Sequence, residues 1–147
     1  MIFLSKYLHK INAKNQVTIP SRHREMIKPE ELCRGLYVVP GKERCLYLYT
    51  LSGLEAIASS LREDPATSAD FRRMLFASSA RVECDDQGRI LIPAAMKELA
   101  GIDREVLFVG NTDRIEMWAP GEWGPYWERH RAEYEKRYQQ VADQIFK

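Results

Sequence analysis

The chain has 147 residues, 45% of them hydrophobic and 29% charged, with a formal net charge of +1. That length fits one domain or two very small ones, and the composition suits a globular protein with a buried core. Near-neutral charge gives no bulk electrostatic case for nucleic acid or membrane, and no apolar run approaches a membrane span. In chain order, residues 1–6 are too short and wrongly ordered for a signal peptide, so a cytoplasmic protein is expected. Residues 7–11 read as a strand, and 12–15 (Asn-Ala-Lys-Asn) as a turn, because Asn tolerates left-handed backbone angles. Residues 16–19 return as a strand rich in β-branched side chains. Pro20 ends it, having no N–H for a ladder, and opens a helix-like run over 21–27. Residues 36–39 and 46–49 form the next strand pair, with a hairpin loop at 41–44.

Ser52 is the expected N-cap of the following helix, with Glu55 completing a capping box. That helix is expected to bury Leu54, Ile57, Ala58 and Leu61. Residues 64–68 break it, and a second helix over 69–77 is expected to bury Phe71, Met74 and Leu75. The plan then repeats. Residues 83–92 with Pro93 match 10–19 with Pro20, and the turn is now 85–88, where Gly88 is free to take positive φ. A helix over 94–100 stops at Gly101, strands follow at 106–109 and 115–118, and a last helix runs from near Pro125 to the end. Its residues Trp127, Tyr134 and Val141, like Arg131, Tyr138 and Ile145, are spaced by seven, close to a coiled-coil seam. Two readings stand: a helix lying on its own module, or a contact between subunits. A duplicated small unit implies a pseudo-two-fold body. The expected division is a first module at 1–63, a linker and helix at 64–78, and a second module at 79–147.

No catalytic constellation emerges. Ser78 and Ser79 lack a G-x-S-x-G context, and His9, His23 and His130 fall in unrelated elements. The three cysteines, Cys33, Cys45 and Cys84, have no Cys-x-x-Cys spacing, which argues against a disulfide framework or zinc ribbon and favours a reducing compartment. They read as small apolar residues, and Tyr37, Tyr47, Phe108, Trp118 and Trp123 as core. No enzyme, cofactor, metal site or small-molecule substrate is expected. The local charge is more informative. Between residues 6 and 28, Lys6, Lys10, Lys14, Arg22, Arg24 and Lys28 stand against Glu25 alone, whereas the second copy is balanced.

The string Gly88-Arg-Ile-Leu-Ile-Pro93, residues 106–110, Ile115-Glu-Met-Trp118 and Cys45-Leu-Tyr-Leu-Tyr49 together resemble the MraZ family, over nearly the whole chain. The resemblance implies an α+β fold of two tandem AbrB-like swapped-hairpin β modules. These form a pseudo-dimeric barrel with connecting helices and a long C-terminal helix. It also implies ring-shaped homo-oligomers that bind short repeated boxes in double-stranded DNA, usually as repressors of the cell-division and cell-wall cluster. The D-x-x-x-R elements of both copies then line the DNA-facing region. The second copy has Asp85 and Arg89, but the first has Asn12 for Asp, Asn15 for Gly and Gln16 for Arg. Arg donates two hydrogen bonds to guanine, whereas Gln suits adenine, a difference of roughly 1–3 kcal/mol per base pair read. The chain therefore reads a different box, leans on neighbouring cations, or has lost DNA contact at this copy. The candidate DNA-binding residues are Lys14, Gln16, Arg22, Arg24 and Arg89, with Asn12, Asp85 and Arg89 as the motif pairs. Arg89 has a second reading, an ion pair with Asp85 that shapes the turn or a subunit interface. The competing function is a ring that binds another protein.

Overall fold

A computed structural model describes residues 1–146. The strands are β1 (Lys6–Lys10), β2 (Gln16–Thr18), β3 (Leu36–Pro40), β4 (Leu46–Thr50), β5 (Ala80–Val82), β6 (Arg89–Leu91), β7 (Glu105–Asn111) and β8 (Arg114–Trp118). The helices are α1 (Ser21–Arg24), α2 (Pro29–Cys33), α3 (Leu51–Glu63), α4 (Ala69–Ala77), α5 (Ala94–Ala100) and α6 (Pro120–Ile145). The class is α+β. A six-stranded antiparallel sheet runs in the order β1-β7-β8-β4-β3-β5, and β2 and β6 form a separate two-stranded ribbon.

The two halves of the chain are built into one another. β1 pairs with β7 (Tyr7 opposite Phe108), and β5 pairs with β3 (Tyr37 opposite Arg81). Two ladders are symmetric under exchange of the halves. In the ribbon, Val17 faces Ile90 at the centre, flanked by Gln16 opposite Leu91 and Thr18 opposite Arg89. In the sheet, Tyr47 faces Glu116, flanked by Leu46 opposite Met117 and Leu48 opposite Ile115. Alternation along the ribbon turns Val17, Ile19, Ile90 and Ile92 inward, where they join Leu36, Leu46, Leu48, Phe108, Ile115 and Met117 in one core.

Several expectations need correcting. No closed barrel forms among the described residues: β1 and β5 remain the sheet's two edges. The chain leaves the sheet at the turns after β1 and β5, and the strands that follow pair with each other instead. The cap of α3 is Thr50 rather than Ser52. Its Oγ1 accepts from the Gly53 backbone N–H at 3.2 Å, because β4 runs straight into the helix. Leu54, Ile57, Ala58 and Leu61 are only half-buried. α4 turns Arg72, Leu75 and Phe76 inward, one helical stripe, which leaves Phe71 and Met74 at 52% and 72% exposure. α6 begins at Pro120, where the missing N–H would have had no helical partner. Pro125 sits inside it, above the uncrowded Gly121. The run expected at 21–27 ends its helix at Arg24. Among the described residues no helix is long and apolar enough to cross a membrane.

Candidate nucleic-acid interface

The two turns share one construction, despite their different residues. Asn12 Oδ1 accepts from the backbone N–H groups of Lys14 and Gln16, both at 2.9 Å. Asp85 Oδ1 accepts from those of Gln87 and Arg89, also both at 2.9 Å. Each turn closes with matching backbone bonds: the Asn12 N–H donates to the Gln16 carbonyl and the Asn15 N–H to the Asn12 carbonyl, as Asp85 donates to Arg89 and Gly88 to Asp85. The fourth position is left-handed in both, with φ of 61° at Asn15 and 79° at Gly88. Asn visits that region more readily than other residues with a Cβ, so Asn15 replaces a glycine without distorting the turn. The side chains two ends apart also meet. Asn12 Nδ2 donates to Gln16 Oε1 at 3.1 Å, and Arg89 Nε donates to Asp85 Oδ2 at 2.8 Å. The neutral pair copies the charged one.

Ribbon and turns are bound together at their bases. The Ile19 N–H donates to the Gly88 carbonyl at 2.8 Å, and the Ile92 N–H to the Asn15 carbonyl at 2.9 Å. With Val17 and Ile90 turned inward, the ribbon's outer face carries Gln16, Thr18, Arg89 and Leu91. Thr18 and Leu91 are exposed, Gln16 and Arg89 half-buried. The Asp85 carboxyl lies below the usual carboxylate range, held there first by the Arg89 backbone N–H and further by the Arg89 guanidinium and the Gln87 N–H.

Around the ribbon, Lys14 is exposed at the tip of the first turn. Arg22 is exposed on α1 and makes only a loose contact with Glu25, at 4.0 Å. Arg24 does not join the first turn. Its guanidinium lies over Gly88, in the space where a side chain at that position would go. The equivalent residue of the second half, Lys97 on α5, reaches the other way and donates to Asn15 Oδ1 at 2.8 Å. Each lies four residues after its proline, so each half sends one cation to the other half's turn. Lys97, Thr18 and Leu91 were missed as site residues. For Lys97 the available signal was its match to Arg24 in the repeat.

The structure thus gathers Asn12, Lys14 and Gln16 at one turn, and Arg24, Asp85 and Arg89 at the other, with Arg22 to one side. The pairing reading of Asp85 and Arg89 is realised as an ion pair. His23 is buried, its Nε2 2.7 Å from the Leu4 carbonyl. Cys33 is exposed rather than packed, while burial pushes the Cys45 thiol up to about 12. Phe108 and Trp118 are buried as expected, whereas Tyr37, Tyr47 and Trp123 are half-buried. Among the described residues no group of three or more His, Cys, Asp or Glu side chains could hold a metal.

Comparison with known proteins adds identity to this geometry. Residues 75–144 match the family model described as "MraZ protein, putative antitoxin-like". The chain is 33% identical to the "Transcriptional regulator MraZ" of Syntrophomonas wolfei, over 97% of its own length and 98% of the relative's. It is 34% identical to the protein of that name from Moorella thermoacetica, over the same shares. With the one from Acetivibrio thermocellus it shares 37% identity, over 85% of this chain and 86% of that one.

Proposed function

The chain belongs to the MraZ family, and from that premise we propose that it is a sequence-specific DNA-binding regulator of transcription. It represses a division and cell-wall gene cluster and acts as a ring-shaped homo-oligomer. In this reading the halves, 1–63 and 79–147 with 64–78 between them, are tandem AbrB-like swapped-hairpin modules. It works in the cytoplasm at the nucleoid, on double-stranded DNA, without cofactor, membrane or small-molecule substrate. The observation that carries the reading is the ribbon: two short strands with Gln16, Thr18, Arg89 and Leu91 turned outward between symmetric turns.

The mechanism follows from the dimensions and chemistry of the duplex. A two-stranded ribbon fits the major groove. Asp85 holds Arg89 by Nε, which leaves the two terminal nitrogens to address guanine O6 and N7. Asn12 donates to Gln16 Oε1 and leaves the Gln16 amide N–H groups to address an adenine. Lys14, Arg22, Arg24 and Lys97 supply phosphate contacts that fix the register but carry no sequence information. One subunit's contact is weak, and a ring presenting several ribbons to successive boxes gains ~10²–10⁴ in avidity.

The test is a gel shift or anisotropy titration with the DNA upstream of the protein's own gene, across a salt series. A specific complex should form at moderate salt, and Arg89→Ala should weaken it at selected positions of the box. Absence of a specific complex, with protein folded and assembled, overturns the proposal. One observation favours a second reading, a ring that binds another protein: the Asn12–Gln16 pair carries no charge where its counterpart does. If Gln16→Arg creates DNA binding that the native chain lacks, that second reading stands.

A further inference from the structure

Two helical faces of this chain keep apolar side chains exposed among the described residues. The first is on α6. From Glu128 to Phe146 every residue except Ala142 is exposed. Trp127, Tyr134, Tyr138, Val141 and Ile145 are 43–65% exposed and, with Arg131, advance by alternating steps of four and three. Arg131 is engaged by Glu128 and Glu135 of its own helix at 3.7 and 3.5 Å, so its charge is offset within the seam. A helix without tertiary contacts is marginal in water, and exposed ion pairs of this kind add only tenths of a kcal/mol. The second face is on α3 and α4. Both helices are amphipathic, yet neither has a buried residue. Leu54, Ile57 and Leu75 are half-covered, and Phe71 and Met74 stand in solvent.

The topology sets these faces apart. β8 and β4 lie side by side at the centre of the sheet, with β7 beyond one and β3 beyond the other. α6 leaves β8 and packs its start near β7, whereas α3 leaves β4, and α4 packs near β3. The symmetry of the ladders makes α6 the counterpart of α3. The counterparts are unequal: one is a single helix of 26 residues, bare from Glu128 onward, the other two successive helices of 13 and 9. The seam from Trp127 to Ile145 spans about 27 Å.

We propose that α6 of one copy seats its seam on the α3–α4 face of a second copy, head to tail. The contact rests on the oligomeric part of the reading above and is independent of DNA. Side-by-side pairing of two α6 helices would cover one face and leave Phe71 and Met74 bare on every copy. The head-to-tail contact covers both. The two faces together bury on the order of 1,000 Å², the size at which specific interfaces begin. A contact between unlike faces repeats from copy to copy and closes a ring when the rotation allows.

Two variants test this by light scattering without DNA. One carries Tyr134→Ala and Tyr138→Ala on α6, the other Phe71→Glu and Met74→Glu on α4. All four positions are exposed, and circular dichroism with a thermal melt verifies each fold. The native chain should be an oligomer and each variant a monomer. An equimolar mixture of the variants should double the mass to a dimer and stop there, joined by the one contact still intact. If the α4 variant keeps the native mass, or the mixture stays monomeric, the head-to-tail contact is wrong while the ring survives. A monomeric native chain overturns both the contact and the ring. DNA binding, measured separately on the native chain, bears on the regulator reading alone.

Discussion

At residue scale, Asn15 and Gly88 occupy the same place in equivalent turns and differ in what lies above them. Asn15 meets Lys97 and accepts its hydrogen bond, whereas Gly88 lies under the guanidinium of Arg24. Gly88→Ala should therefore cost about 1–2 kcal/mol, since a Cβ meets both a left-handed φ and that guanidinium. Asn15→Gly should cost less; urea unfolding of both variants measures the difference. Asp85 makes a second prediction. Its folded pKa lies below its unfolded one, so the ionised carboxylate stabilises the fold above the unfolded value, and this contribution fades as pH falls through the folded value. Asp85→Asn keeps the turn, as Asn12 shows, but gives up the ion pair. Its Tm should fall below the native one near neutral pH, and the two should converge in acid, below the usual carboxylate range. The turn residues themselves were legible, because Asn, Asp and Gly at those offsets carry a local mechanism. The destination of Arg24 was not, since it reaches a turn more than sixty residues further along the chain.

At the scale of elements, pattern and repeat located the strands and helices apart from β5 and α2, but not what each would cover. The ribbon strands have three residues each and are held by their inward halves. Ile90→Ala should cost about 2–5 kcal/mol in denaturant unfolding. Leu91→Ala, on the exposed face, should stay within about 0.5 kcal/mol. If both cost the same, the outward assignment of that face is wrong. The helix corrections share one origin. The apolar stripes of α4 and α6 were readable, but a stripe records only that something must cover it. Within one chain the stripe of α4 is split: Leu75 and Phe76 turn inward, Phe71 and Met74 outward. The cap of α3 moved to Thr50 because no loop separates it from β4.

At the scale of the whole molecule, the repeat was visible in the residues, and the exchange of strands between its halves was implied only by the family resemblance. A strand pattern says nothing about which partner it takes. The near-neutral net charge also conceals local asymmetry, since residues 6–28 carry six cations against Glu25 alone. If Lys14 contacts a phosphate, Lys14→Ala should weaken DNA binding evenly across sequences and reduce the steepness of log affinity against log salt by about one unit. An unchanged slope would remove Lys14 from the interface. The exchange also bears on biosynthesis. β1 and β2 emerge from the ribosome well before β7 and β6, their ladder partners. Within the first half only β3 and β4 pair with each other, so β1 and β2 must wait for the second half to be translated. A fragment of residues 1–78 should melt without a cooperative transition, and the full chain should refold slowly for its size, because its defining contacts span such long separations. While it waits, the nascent β1 exposes free strand edges to any neighbouring copy on the same message.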